Sequence, residues 1–335
     1  MTAAVPLGTS GVPVTRLSLG TAALGNLYAP VSEEQARGAV DAAWDAGIRY
    51  FDTAPHYGLG LSERRLGAAL RDRPRAAYTL STKVGRLLVP GGPGGRDAAG
   101  GFAVPADRRR VWDFSADGVR RSLAESLERL GLDRVDVVYL HDPDDHTRQA
   151  LREGYPALER LRAEGAVGAI GVGMNQPGTP ARFLRETDID AVLLAGRYTL
   201  LDDGGARELL PQAAARGRAV VIGGVFNSGL LADPRPGAAF DYRPAPDAVL
   251  ARALRLKEVT ARHGVPLRAA ALRFPLAHPA VACVLAGGRS AAEVRDARAM
   301  LDTPVPAALW EDLRAEGLLA WHLPTPEGAP GPDCP

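Results

Sequence analysis

Residues 32–52 read SEEQARGAVDAAWDAGIRYFD. Ser32 suits a helix N-cap, and Ala39, Val40, Ala43 and Trp44 recur at helical spacing on one face of Ser32–Ala46. Gly47 then leads into Gly47–Asp52, a short apolar run with the look of a strand and a carboxylate at its end. Arg16–Gly20, just upstream, is a second apolar run. The same period continues downstream. Helix Ser62–Leu70 precedes strand Tyr78–Lys83, helix Ser115–Leu130 precedes strand Val135–His141, and helix Tyr155–Glu164 precedes strand Ala169–Met174. Ala191–Ala195, Ala219–Gly224 and Val281–Leu285 complete the strands, each after a helical segment.

Sustained strand–helix alternation implies a parallel sheet with helices outside it. Eight units in a chain of 335 residues favour an α/β fold of the (β/α)₈ type, a TIM barrel. A doubly wound sheet is the alternative, and for a dinucleotide it wants Gly-x-Gly-x-x-Gly after its first strand. Arg16–Asn26 contains no such pattern. Residues 1–323 are therefore expected to form one barrel domain, with an N-terminal β-hairpin over Val5–Val14 and an extra C-terminal helix. Pro90–Gly101 reads as a long mobile loop, and residues 324–335, rich in Pro and Gly, as a disordered tail.

Composition narrows the function classes. Hydrophobic residues make up 46% of the chain and the formal net charge is +1, with no basic cluster of the kind that binds nucleic acid. Two cysteines, Cys283 and Cys334, do not make a disulfide framework, which fits a reducing compartment. No run approaches the roughly 18 apolar residues of a membrane span, and no leader pattern is visible. The expectation is a soluble cytoplasmic enzyme acting on a small molecule, of unassigned oligomeric state.

In a barrel of this kind the active site lies at the C-terminal ends of the strands. Strand two ends in Asp52, with Tyr57 in the following loop; strand three ends in Lys83 and strand four in His141. Consecutive strands are neighbours, so the four side chains can converge. Singly, each has a bland reading: a structural ion pair, a packed phenol, a satisfied histidine. Together they suit proton transfer coupled to hydride transfer. A phenol has an ordinary pKa of about 10, and an adjacent ammonium pulls it down. Lys83 can supply that charge to Tyr57, Asp52 can orient Lys83, and His141 can donate to a substrate oxygen. A tuned acid/base contributes roughly a hundred- to ten-thousand-fold in rate.

Phe51-Asp-Thr-Ala-Pro-His-Tyr-Gly58, followed by Ser62-Glu63 and Leu66-Gly67, resembles the signature of the aldo-keto reductase family. Ser81-Thr-Lys83-Val and Tyr139-Leu-His141 resemble its other two catalytic segments, and the likeness runs from about Leu7 to about Leu319. The resemblance implies a barrel that binds NAD(P)(H) without a Rossmann domain, and the tetrad Asp52, Tyr57, Lys83 and His141. It also implies cofactor contacts at Gly20, Thr21, Asn175, Phe226, Asn227, Ser228, Gly229, Leu230, Gly287, Gly288, Arg289 and Glu293. Met174, Ala195 and Gly223 depart from the common pattern around the nicotinamide.

Segments such as Leu140-His-Asp-Pro-Asp-Asp-His146 and Gly224-Val-Phe-Asn-Ser-Gly-Leu-Leu231 are similar to the sugar and pyridoxal dehydrogenases of the family. That likeness implies oxidation of an aldose of the L-fucose or D-arabinose type at C1 to a lactone. Aldehyde or ketone reduction and pyridoxal oxidation are the alternatives within the enzyme class, and a non-catalytic redox-sensing channel subunit is the alternative outside it. His56 and Asp142 are the candidate substrate contacts, the polar Asp142 suiting a hydroxyl-rich ligand. Gly287 and Glu293 occupy positions most often basic in NADP users, so NAD is expected to be preferred over NADP. A metal reading of His141, Asp142, Asp144, Asp145 and His146 lacks a His-x-His at the end of strand one, and no metal is expected.

Overall fold

The computed structural model describes residues 4–326. Most of the 324–335 tail, with Cys334, lies outside the described residues. The strands, in chain order, are β1 (Ala4–Pro6), β2 (Pro13–Thr15), β3 (Leu17–Gly20), β4 (Tyr50–Asp52), β5 (Thr79–Val84), β6 (Arg86–Pro90) and β7 (Arg108–Trp112). They continue as β8 (Val137–His141), β9 (Ala169–Met174), β10 (Ala191–Ala195), β11 (Ala219–Gly223), β12 (Ala239–Phe240), β13 (Arg243–Pro244) and β14 (Val281–Gly287).

Eight of these, β3, β4, β5, β8, β9, β10, β11 and β14, pair in that order and close into a parallel barrel. Right-handed crossover through a helix is the natural way to join parallel neighbours. The helices are Glu33–Asp45, Leu61–Leu70, Ala116–Leu130, Tyr155–Ala163, Gly178–Glu186, Leu209–Ala215, the pair Asp247–Arg262 and Leu267–Arg273, and Ala291–Asp302. The expected extra helix follows as Ala307–Ala315. Ser32 caps the first of them in a reciprocal capping box with Gln35, and Ser115 and Ser290 cap two others.

The expected hairpin is present: β1 and β2 pair antiparallel, Ala4 opposite Thr15. It places Leu7 and Val14, both buried, against Tyr50, Val137, Tyr139 and Leu193. The N-terminal mouth of the barrel is thereby plugged with apolar side chains, and only the C-terminal mouth is left for chemistry. Strand two starts at Tyr50, later than its apolar run suggests. The N–H groups of Gly47 and Ile48 still bond back to Trp44 and Ala43, so these residues finish the helix.

Two excursions were not read from the sequence. β6 and β7 form an antiparallel ladder with Arg86 opposite Trp112 and Pro90 opposite Arg108. Pro90–Gly101, expected to be a long mobile loop, begins the tip of this hairpin. Its apolar anchors lie just beyond it, in buried Phe102, Val104 and Ala106, and within it Asp97 pairs with Arg110 at 2.6 Å. The short β12–β13 hairpin follows barrel strand β11.

One close approach sets the loop that carries Tyr57. Gly58 sits at φ +60°, and a Cβ there would lie 2.2 Å from the carbonyl oxygen of Gly25. Gly58→Ala is expected to destabilise the fold by more than about 2 kcal/mol, left-handed strain adding to a backbone clash. Gly131→Ala, at φ +65° in open space, is expected to cost only the strain, about 1 kcal/mol. Urea unfolding of both variants checks this; equal losses would show that the Gly25–Gly58 approach relaxes freely.

Candidate active site

Strand register brings the expected tetrad together. Asp52 is the last residue of β4 and Lys83 the fifth of the neighbouring β5. Lys83 Nζ lies 2.5 Å from Asp52 Oδ2, 3.0 Å from the Thr53 carbonyl oxygen and 3.1 Å from the Tyr57 hydroxyl. The second carboxylate oxygen of Asp52 accepts from Ser81 Oγ at 2.7 Å. Tyr50 donates to Ser81 at 3.0 Å and meets the Tyr139 hydroxyl at 3.1 Å. His141, ending β8, sets its ring centroid 6.0 Å from that of Tyr57 and 5.6 Å from that of His56.

These groups face a cavity of about 440 Å³, within the usual range of small-molecule sites. Tyr57, Lys83 and His141 line it together with the two expected substrate contacts, His56 and Asp142, and with Asn175. Sequence reasoning missed Tyr28, Phe102 and Tyr242, which also line it, and Arg86, which pairs with Asp142 from behind. Tyr28 and Tyr242 meet across the opening with ring centroids 6.4 Å apart, and the Asn175 amide donates to the Ala195 carbonyl oxygen at 3.4 Å. Their loops are far apart in sequence, and no local pattern joins them. Arg86 did have a signal: it follows strand three by a residue or two, at the end where sites are built.

Charge is arranged unevenly. Burial pushes the Tyr57 phenol up to about 12; Lys83 pulls it down and Asp52 pushes it up again. Lys83 therefore acts in the expected direction, but desolvation outweighs it. Burial pulls Lys83 itself down, yet Asp52 and Tyr57 more than offset this, and its pKa ends above the ordinary value. Burial and the nearby Arg86 hold His141 well below the usual range and His56 down to about 2. Both rings are neutral at working pH, and the Nδ1 atoms of both are buried without a partner. Neutral imidazoles can donate to a substrate oxygen without changing the net charge of the site.

The expected dinucleotide contacts fall along the same mouth. Gly20 and Gly287 are register partners at the ends of β3 and β14. A Cβ on Gly287 would meet nothing within 4 Å, so the backbone there is open to a ligand. Ser290 caps the following helix, Ala291–Asp302, whose N-terminus suits a phosphate. Asn227, Ser228 and Gly229 all have positive φ, and buried Asn227 leaves Oδ1 without a partner. These features fit a dinucleotide laid across the strand ends. Phe226 is partly buried and Leu230 fully so, which leaves them backbone or packing roles. Thr21 is not brought to the surface: its hydroxyl binds the Asp52 carbonyl oxygen and Ser62 Oγ. Gly288 is buried, and its Cβ would strike Val294. Arg289 and Glu293 pair with each other at 3.3 Å. His146 stacks on Trp112 and Phe114, away from His141, and among the described residues no three His, Cys, Asp or Glu side chains group to hold a metal ion.

The sequence profile of the Aldo/keto reductase family matches residues 16–315. The chain belongs to that family. It is 46% identical to a D-threo-aldose 1-dehydrogenase from Pseudomonas sp, over 95% of this chain and 97% of that protein. It is 44% identical to a pyridoxal 4-dehydrogenase from Microbacterium luteolum, over 94% and 97%. Among solved structures, an aldo-keto reductase from Bacillus halodurans in its holo form superposes with a TM-score of 0.73 at 28% identity, over 94% of this chain and 96% of that one. This aldo-keto reductase is an oxidoreductase that uses NAD(P)(H) and acts on a small molecule. Among the described residues no helix is long and apolar enough to cross a membrane.

The lysine's effect on the phenol can be isolated. Lys83→Met alone strands Asp52 as a buried charge, so Lys83→Met/Asp52→Asn is the cleaner variant. Lys83 lowers the Tyr57 pKa by more than Asp52 raises it. Removing both therefore lifts it further, and the rise of the oxidation rate with pH should move to higher pH. A pH–rate profile whose amplitude falls without moving would assign Lys83 to positioning alone.

Proposed function

We propose that this enzyme oxidises an aldose at its anomeric carbon to the lactone. The carrying observation is the carboxylate of Asp142, set in the cavity directly after His141, where it can accept a hydrogen bond from a sugar hydroxyl. The 46% identity to an aldose 1-dehydrogenase supports the same reading.

In this reading Tyr57 Oη takes the proton of the anomeric hydroxyl as the C1–O bond becomes a carbonyl. Lys83, fixed by Asp52 and Thr53, faces the phenolate that must form first. When bound, the oxidised nicotinamide supplies the hydride acceptor and a positive charge that further favours the phenolate. His141, held neutral, donates to the substrate oxygen and keeps it in reach of Tyr57. Gly20, Asn175, the Asn227–Gly229 turn and Gly287 would hold the dinucleotide, with Tyr28 and Tyr242 limiting water at the mouth.

A panel of L-fucose, D-arabinose and pyridoxal, read by NADH formation, tests this. L-Fucose or D-arabinose is expected to give the highest kcat/KM, and Tyr57→Phe to lower turnover at least about a hundredfold. Turnover of pyridoxal alone would favour the second reading, which the 44% relative supports.

NAD is the preferred form in our reading, because Arg289, in the segment expected to meet the adenosine phosphate end, already faces the Glu293 carboxylate. That carboxylate also accepts from the Arg289 N–H at 2.9 Å. Measured kcat/KM should favour NAD over NADP. Glu293→Arg both removes a repelling charge and frees Arg289, and should shift the ratio toward NADP by about tenfold or more. A wild-type preference for NADP would mean that Arg289 leaves its partner for the phosphate.

A further inference from the structure

Arg86 is the first residue of β6 and lies behind the cavity wall, 8% exposed. Its guanidinium makes a tight ion pair with the Asp142 carboxylate and stacks on the Trp112 ring at 4.2 Å. Trp112 is its register partner across the β6–β7 ladder, so one excursion supplies both the cation and the plate beneath it. A stacked, planar guanidinium is fixed in direction as an ammonium is not.

Asp142 is held from the other side as well. Its backbone stands at φ +42°, in the left-handed region that few L-residues adopt, and its N–H donates to the Gly173 carbonyl oxygen at 2.9 Å. One carboxylate oxygen lies 3.6 Å from His141 Nε2. Burial, with Asp144 adding to it, leaves the Asp142 carboxyl above its ordinary pKa, and Arg86 is the main influence that limits the rise. The strained backbone fixes where the carboxylate is; the arginine fixes its orientation and charge.

We propose that Arg86 is a specificity-determining positioning residue, which through Asp142 makes the site select substrates with a hydroxyl next to the reacting carbon over plain aldehydes. It does not touch the substrate; it presents an ionised acceptor beside His141. This rests on the reading above that Asp142 meets a substrate hydroxyl, but not on which sugar is used.

The two can be separated by working in the reductive direction with two small aldehydes. Glyceraldehyde carries a hydroxyl beside its carbonyl and propionaldehyde does not. The observable is the ratio of their kcat/KM values with the same reduced cofactor. Arg86→Met should lower the ratio of glyceraldehyde to propionaldehyde at least tenfold, with the loss mainly in the KM for glyceraldehyde. Arg86→Lys, which keeps the charge but loses the stacked fork, should restore part of it. Asp142→Asn should lower the ratio as Arg86→Met does, and the double variant should lose little more than either single change. If Arg86→Met does not fold, Arg86→Lys and Asp142→Asn still carry the test. Both aldehydes losing activity equally in these variants would make Arg86 merely structural and overturn the proposal. A wild-type enzyme that oxidises no sugar, yet shows the ratio collapsing in the variants, would overturn the sugar reading and leave the role of Arg86 standing.

Discussion

A lysine ammonium at 1% exposure is the constraint around which this barrel mouth is built. A buried cation is tolerated only when it is paired and its donors are used. Lys83 meets both conditions with three acceptors: the Asp52 carboxylate, the Thr53 carbonyl oxygen and the Tyr57 hydroxyl. Each acceptor is in turn fixed. Asp52 takes a hydrogen bond from Ser81, which takes one from Tyr50; Thr21 binds the Asp52 carbonyl oxygen; Gly58 against Gly25 seats the loop of Tyr57. The phenol is thus a cavity-facing end of this hydrogen-bonded network. Its position is decided by the need to satisfy a charge beneath it.

Of that network Asp52, Tyr57 and Lys83 were legible in the sequence, because strand-end positions are set by the period of the fold. Asp52, Lys83 and His141 each close an apolar run, and closed parallel pairing makes such ends converge. Two helix starts were legible for a similar local reason: Ser32 and Ser115 satisfy backbone N–H groups within three residues of themselves. What escaped depends on contacts distant in sequence. The β6–β7 ladder hides behind a glycine- and proline-rich tip whose anchors, Phe102 and Val104, come after it. Tyr28 and Tyr242 meet over the cavity from loops far apart in the chain. Thr21 follows the end of β3 as its motif implies, but its hydroxyl is spent on Asp52 and Ser62, contacts made across neighbouring elements that no local pattern carries. The net pKa of Tyr57 was equally out of reach, since a pattern names the ammonium beside a phenol and says nothing of the burial opposing it.

The electrostatics of the mouth follow from pairing carried one step further. Three cations lie close together there, and each has its own carboxylate: Lys83 with Asp52, Arg86 with Asp142, and Arg110 with Asp97. The pairs cancel, so the fixed charge of the site is near zero before any histidine titrates. His56 and His141 sit among the positive ends of these pairs and out of water. Protonating either would add a net charge with no carboxylate left to share, and desolvation and the arginines both oppose it. The rings therefore stay neutral, and His141 is free to bond a substrate oxygen in either redox direction. In the proposed reaction the proton traffic falls to Tyr57, whose phenol sits next to the fixed ammonium. A site of near-zero net charge is also suited to an uncharged polyol, because hydroxyl groups exchange hydrogen bonds with Asp142 and His141 without upsetting any pair.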